Sequence, residues 1–299
     1  MFGLFDKKAT GFVLALAGGG GRGLAHLGVL KALEENGLRP DAIVGTSIGA
    51  LFGAMYSLNP DAAKVQERVF SFLESDVFHQ ISLPSVNDVG ADSADDSWLT
   101  RLTTVARQTV LYSRAMSDTS IGEADALTRV ANLFCGGGSF ESTKIPLYVT
   151  AVRFPGGECQ LFSQGDLCLT LAASMAVPGV FDPVVIDGKR YLDGALASEV
   201  PAMEARSVAG DSQLVVAVNT GARPDPAYEP YNVLGMLDWT AQVKSLYLRQ
   251  YEKAHADIVI EPLVGYTQWH DFSNSDDEVG RGYEAAQEKM PELLKQLGQ

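Results

Sequence analysis

The chain has 299 residues, with 23 Lys and Arg against 37 Asp and Glu, a formal net charge of −14. Its 46% hydrophobic content is ample for a packed core, which excludes whole-chain disorder. The acidic balance argues against a nucleic-acid partner, which asks for a basic excess. It also argues against an anionic membrane surface unless a local patch overrides the net charge.

The apolar run Phe12 to Ala17 predicts a first strand that leads directly into four glycines, Gly18 to Gly21. Leu24, Leu27, Leu30 and Leu33 then sit at helical spacing, predicting a helix over about 22–36 that Gly37 stops. A short strand follows at Ala42 to Gly45, then a helix from Ser47 to Leu58. Strand and helix alternating in this way, with continuously apolar strands, point to a parallel sheet covered on both faces.

From 60 to 144 the pattern is helical, broken by LPSVNDVGADSADDSW, so this stretch reads as a helical insertion with a mobile loop near 84–97. Phe70, Phe72, Leu73, Val77 and Phe78 within it suit either packing on the sheet or a substrate-facing lid. Asp88, Asp92, Asp95 and Asp96 do not follow the EF-hand spacing and read as a solvated loop. Strands resume at Leu147 to Phe154, Glu158 to Ser163, Val184 to Ile186, Leu214 to Asn219 and Asp257 to Ile260, and a helix from Asp276 to Leu297 closes the chain. Residues 1–299 are read as a single domain.

Cys135, Cys159 and Cys168 are an odd number in a long chain and read as core or semi-buried thiols of a reducing compartment. The first residues lack a basic segment and a long apolar run, Gly is not second, and no window of 18 residues is apolar and uncharged. The expectation is a cytoplasmic protein, with peripheral membrane contact through a patch such as Met1 to Phe5 where its substrate requires it.

Two stretches carry chemistry. Gly45-Thr46-Ser47-Ile48-Gly49 is a G-x-S-x-G sequence at a strand-to-helix junction, where Gly45 and Gly49 permit a sharp turn that pushes Ser47 Oγ outward beside the helix N-terminus. Gly18-Gly19-Gly20-Gly21-Arg22-Gly23 also joins a strand to a helix and matches G-x-G-x-x-G. A dinucleotide site would need an acid at the far end of the second strand. Asp41 lies before that strand instead, and the required place holds Gly45-Thr46-Ser47. Both stretches fall at carboxyl ends of neighbouring strands, so the glycine amides are placed to hold an oxyanion formed at Ser47, with Arg22 steadying the loop.

A nucleophilic serine needs a base. The four histidines are His26, read as packed or capping; His79 at a helix end; and His255 and His270, late enough for a Ser, acid, His order. Asp193 in Arg190-Tyr191-Leu192-Asp193-Gly194-Ala195 is the alternative, at the end of a strand that pairs with Val184 to Ile186 through Asp187-Gly188. In a dry pocket its carboxyl would hold a raised pKa. An ordinary Asp-Gly turn is the plainer reading of the same residues.

GGGGRG, GTSIG, AASMAVPGVFDPV and DGA, in that order, resemble the bacterial patatin-like phospholipases, which are serine lipid acyl hydrolases. The resemblance covers most of residues 12–200, and ADIVIEPLVGY with DEVGRGYEAA resembles the closing segment. It implies a three-layer α/β/α sandwich with a mostly parallel central sheet and no metal or organic cofactor. It further implies a dyad of Ser47 as nucleophile and Asp193 as base, an oxyanion loop of Gly18, Gly19, Gly20, Gly21, Arg22 and Gly23, and a site-shaping block holding Ala173, Ser174, Pro178 and Phe181. Gly45, Gly49, Gly194, Ala195 and Pro178 support those motifs. Ala195 stands where many members carry a glycine-type residue, and Asp182 stands where an apolar residue or Pro is usual, placing a negative charge near the cleft. The expected activity is hydrolysis of a lipid or small acyl ester. The rivals are a Ser-His-Asp esterase, an acyltransferase, and a non-enzymatic lipid- or partner-binding protein.

Overall fold

A computed structural model describes residues 9–75, 78, 124–265 and 271–299. The strands are β1 (Gly11–Leu16), β2 (Ala42–Thr46), β3 (Leu147–Phe154), β4 (Cys159–Phe162), β5 (Val184–Ile186), β6 (Lys189–Asp193), β7 (Gln213–Val218) and β8 (Ile258–Ile260). The helices are α1 (Ala25–Glu35), α2 (Ile48–Leu58), α3 (Ala62–Leu73), α4 (Ala124–Cys135), α5 (Leu167–Ser174), α6 (Ala202–Val208), α7 (Val233–Lys253) and α8 (Ser275–Leu297).

Side chains alternate between the faces of a strand, and in β1 both sets are buried. Phe12, Leu14 and Leu16 join a large core with residues of α1, α2, α4, α5 and α8, whereas Val13, Ala15 and Ala17 join a smaller one with Ala202 and Ala205 of α6. Helices therefore cover both faces of one sheet, ordered β5-β6-β3-β2-β1-β7-β8, with β4 also paired to β3. Strands β3, β2, β1, β7 and β8 run parallel; β4, β5 and β6 are antiparallel additions. The expected mostly parallel α/β/α architecture is the one observed.

The register along β3 places the functional ends. Thr46 of β2 lies opposite Thr150, and Asp193 of β6 lies opposite the next residue, Ala151. Thr150 and Ala151 also pair with Leu161 and Gln160 of β4, which must occupy the other edge. Strands β2 and β6 thus approach each other end to end along one edge of β3, and the chain leaving β2 at Ser47 meets the chain leaving β6 at Asp193.

Residues α5, α6 and α7 are not announced by the sequence pattern. In α7 the reason is visible: its inward side carries Ser245, Arg249 and Glu252, while Val233, Leu237, Tyr247 and Tyr251 are exposed, so apolar periodicity misreads the helix. The described ends of the 60–144 stretch are helical, as α3 and α4, and Phe70, Phe72 and Leu73 pack on the core. Phe78 meets Phe72 and Phe272 edge to face. Val77, the 84–97 loop and its four aspartates lie outside the described residues. Cys135 and Cys168 are buried, but Cys159 is exposed on β4, against the expectation of core or semi-buried thiols, because β4 pairs on one side only and its neighbour Gln160 is exposed too.

Helices α1 and α8 touch backbone to backbone. A Cβ on Gly28 would fall on the Val279 carbonyl and Tyr283 amide, and one on Gly282 would fall on the Ala25 backbone. Gly282→Val should therefore cost about 3 kcal/mol or more, since neither helix can yield without unpacking the core. A urea midpoint for Gly282→Val close to that of the parent would contradict this packing.

Candidate active site

Ser47 connects β2 to α2 with φ 53° and ψ −124°, a left-handed conformation that a non-glycine residue adopts only under constraint. Its two flanking glycines explain how the turn closes. A Cβ at Gly45 would overlap the backbone of Ala50, and one at Gly49 would overlap the carbonyls of Leu16 and Ala17. The turn aims the hydroxyl outward and holds the Ser47 amide against Ser174 Oγ at 2.8 Å. Ser174 is the last residue of α5 and falls in the block marked from sequence.

The Ser47 hydroxyl donates to Asp193 Oδ2 at 2.7 Å. The other carboxylate oxygen accepts from the Ala195 amide at 2.8 Å, and the Asp193 amide donates to the Ala176 carbonyl at 2.9 Å. Asp193 is only 4% exposed. Burial pushes its carboxyl up to about 7, against the lowering effect of the Ala195 and Ser47 hydrogen bonds. A hydroxyl is thus hydrogen-bonded to a carboxylate whose proton affinity suits exchange near neutral pH. Pro178 sits on the exposed turn after α5, and Asp182 is exposed beside it.

The glycine loop lies against this pair. A Cβ on Gly18 would rest 3.5 Å from Ser47 Cβ and 3.4 Å from Ala195 Cβ. Gly20 has a positive φ of 58° and Gly19 comes within a Cβ-excluding distance of Thr220 Oγ1. Arg22 Nε donates to the Gly19 carbonyl at 3.2 Å, and Gly23 gives room to the Ile48 side chain at the start of α2. The Gly18 amide already donates to the Glu199 carbonyl at 2.9 Å, so the Gly18 N–H is committed to the protein.

Two histidines fall in the described residues. His26 is fully buried with Nε2 at 2.8 Å from the Ala17 carbonyl, and burial drives its pKa down to about 4. His255 precedes β8, on the amino edge of the sheet, opposite the edge that bears Ser47. Neither reaches the Ser47 hydroxyl. His79 and His270 lie outside the described residues. Among the described residues no group of three His, Cys, Asp or Glu side chains is placed to hold a metal ion, and no helix is long and apolar enough to cross a membrane.

The model of the patatin-like phospholipase family matches residues 14–206, which hold the glycine loop, Ser47 and Asp193. The chain belongs to the patatin-like phospholipase family. Mouse patatin-like phospholipase domain-containing protein 6 is 26% identical over 220 residues, which are 73% of this chain and 14% of that protein. Lysophospholipase NTE1 of Saccharomyces cerevisiae is 27% identical over 222 residues, 74% of this chain and 11% of that one. An uncharacterised NTE family protein of Mycobacterium bovis is 28% identical over 216 residues, 72% of this chain and 50% of its own length. The chain thus spans half or less of these relatives. VipD from Legionella pneumophila shares the fold, with a TM-score of 0.50, 15% identity and coverage of 96% of this chain and 67% of VipD.

Beyond the segment matched to the patatin-like phospholipase model, α7 supplies a support that no local motif signals. The Thr46 hydroxyl donates to the Ser198 carbonyl at 2.8 Å and meets the Thr150 hydroxyl at 2.7 Å, while the next carbonyl, of Glu199, holds the Gly18 amide. Ser198-Glu199 is therefore a strut between the serine strand and the glycine loop. Glu252 grips its backbone, accepting from the amides of Glu199 at 3.0 Å and Val200 at 2.8 Å. Arg249 grips its side chain, donating to the Glu199 carboxylate at 2.7 Å, and Ser245 donates to the same carboxylate. The Arg249 guanidinium also donates to the Ala222 carbonyl, and a Cβ at Gly221 would occupy its place.

Arg249 and Glu199 are 4% and 6% exposed, so removing one charge strands the other. Arg249→Met should lower stability by about 3–5 kcal/mol, and Arg249→Met combined with Glu199→Leu should recover much of that loss. Denaturant unfolding of the four proteins of this cycle measures the coupling; additive losses would refute it.

Proposed function

We propose that this patatin-like chain hydrolyses acyl esters of lipids, with Ser47 as nucleophile and Asp193 as its base. The observation that carries this reading is the 2.7 Å hydrogen bond from the Ser47 hydroxyl to a buried carboxyl held near pH 7. Ser47 Oγ attacks the ester carbonyl carbon as its proton passes to Asp193 Oδ2. The negative charge formed on the carbonyl oxygen is taken by amides of the glycine loop, aided by the N-terminus of α2. With the Gly18 amide engaged by Glu199, the loop amides beyond it serve this role. The tetrahedral adduct collapses, the C–O bond to the alcohol breaks, and Asp193 returns the proton to the leaving oxygen. Water then attacks the acyl-serine, losing a proton to Asp193, and collapse frees the fatty acid and restores the Ser47 hydroxyl.

The names of the yeast lysophospholipase and the mouse patatin-like phospholipase domain-containing protein support a lipid ester as substrate. The dyad needs no metal or organic cofactor for these steps. A cytoplasmic location with peripheral contact at a lipid surface suits the same reading.

Ser47→Ala and Asp193→Asn should each abolish hydrolysis of a short p-nitrophenyl ester while circular dichroism stays unchanged, and a fluorophosphonate should label Ser47 in the folded protein. Absent labelling would favour a binding protein on the same scaffold.

The base must be ionised, so kcat/KM should rise with pH through about 7 and level off above it. Because the folded state holds this proton more tightly than the unfolded chain, Asp193 favours folding at acid pH, and that contribution is lost as pH rises through about 7. Asp193→Asn should accordingly unfold at higher denaturant than the parent at pH 8, by on the order of 3 kcal/mol, with the advantage fading towards pH 4. A pH-rate profile flat between 5 and 9, around that value of about 7, would remove Asp193 from the role of base.

A further inference from the structure

The two halves of α7 have different surroundings. In the second half, Ser245, Arg249 and Glu252 reach the Glu199 carboxylate and the amides of Glu199 and Val200. The Glu199 carbonyl holds the Gly18 amide, two residues past the end of β1, so these contacts already stand at the carboxyl edge of the sheet, the edge that bears Ser47. Because α7 joins the carboxyl end of β7 to the amino end of β8, the residues before Ser245 lie on the site's side of those contacts. From Val233 to Ser245 is about 18 Å at the rise of a helix.

This first half has left the body of the protein. Successive helical residues are turned by about 100°, so Met236, Leu237, Asp238 and Trp239 together face all round the axis, and all four are exposed. Asp238 points the same way as Ser245, two turns on, yet only Ser245 meets the body. The exposed side chains are also apolar where water favours charge. Val233 is 75% and Leu237 60% exposed, and residues 233–248 carry a single acid, Asp238, and a single base, Lys244. The segment is therefore neutral in a chain of −14. Two more exposed leucines stand on the same side: Leu196, three residues after Asp193, and Leu263, three residues past the carboxyl end of β8.

We propose that the first half of α7 docks on a neutral lipid surface, one of zwitterionic phosphatidylcholine, and seats the chain there with its Ser47 edge towards the lipid. The proposal rests on the lipid-ester reading above for its purpose, although the docking itself requires no hydrolysis. Two observations choose this occupant. A protein partner or a second copy of the chain would cover one side of a helix, whereas residues 236–239 are exposed on every side, and a fluid lipid interface can close around them. Trp239 suits that boundary, with an apolar ring and one N–H for the wet side. Charge agrees: an anionic bilayer repels a chain of −14, a zwitterionic one does not, and the segment adds no net charge of its own.

The test is flotation of the full chain with vesicles of phosphatidylcholine alone. The parent should bind, and Met236→Gln/Leu237→Gln/Trp239→Gln should weaken the partition about tenfold or more, since one apolar side chain withdrawn from the interface is worth about that factor. Leu133→Gln, which removes an exposed leucine of α4, should leave binding unchanged. The Met1 to Phe5 patch lies outside the described residues, and Phe2→Gln/Leu4→Gln/Phe5→Gln should likewise retain binding. Brominated phosphatidylcholine should quench a fluorescence component of the parent that Trp239→Phe removes, which decides the matter whatever the fold of the triple α7 variant. No partition of the parent, binding that survives the triple α7 substitution, binding lost only with the Phe2, Leu4 and Phe5 substitutions, or binding that rises steeply with added phosphatidylglycerol overturns the proposal. A dimer in sedimentation velocity that the α7 substitutions make monomeric overturns it too. A chain that docks through α7 and hydrolyses no acyl ester leaves the docking standing and removes the ester-hydrolase reading; one that hydrolyses a soluble ester and ignores the vesicles does the reverse.

Discussion

Everything at the site depends on β2 and β6 meeting end to end along one edge of β3. Consecutive positions of one strand, Thr150 and Ala151, fix the ends of two others, so Ser47 and Asp193 are set beside each other by backbone pairing. The threonines reinforce the junction: the Thr46 and Thr150 hydroxyls join across it, and Gly194 leaves the space that the Thr150 hydroxyl fills. A carboxylate and a hydroxyl brought together by sheet register need little side-chain rearrangement to stay in contact. This is the rigid support that a preorganised site requires.

That arrangement carries local costs, and the surrounding structure offsets them. Ser47 sits at positive φ, which costs of order 1–3 kcal/mol in isolation. Asp193 is buried with two hydrogen bonds and, among the described residues, forms no salt bridge. The offset comes from elements that are themselves firmly placed: Ser174 on the Ser47 amide, Ala176 on the Asp193 amide, and the Ser198-Glu199 strut tied to α7. Glu252 is itself pushed up to about 7 by burial, yet its two backbone amide partners hold it in place. Arg249 and Glu252 of α7 act here as rigid struts, the first paired with the Glu199 carboxylate and the second with two backbone amides.

The legible parts of the molecule were those encoded by short-range pattern. Phe12 to Ala17, the glycine run, the G-x-S-x-G turn and the Asp187-Gly188 hairpin are local, and each falls within about a residue or two of its observed place, the usual scatter of element boundaries. Asp193 ends a hairpin strand and precedes Gly, a pattern that alone reads as an ordinary turn and is singled out only by the family resemblance. Ser198, Glu199, Thr220 and Arg249 carry no such mark. Their roles depend on contacts between residues far apart in the chain, as when the Thr220 hydroxyl donates to the Gly18 carbonyl or the Thr46 hydroxyl donates to Ser198. Helix α7 escapes the sequence pattern for a related reason, since its inward face carries Arg249 and Glu252 while several large apolar residues face outward.

Net charge is the sequence feature whose meaning the structure changes most. A total of −14 sums charges over the whole surface, but screening confines the effect of each one to a radius of about 8–10 Å in ordinary salt. Within that radius of the tip of the β5-β6 hairpin, Arg153, Lys189 and Arg190 stand with Glu158 and Asp187, so cations outnumber acids there by three to two. A chain can therefore be strongly acidic as a whole and still present a small cationic excess at one point. Asp182 is exposed after the site-shaping block, so water screens its carboxylate far more than it screens the buried Asp193.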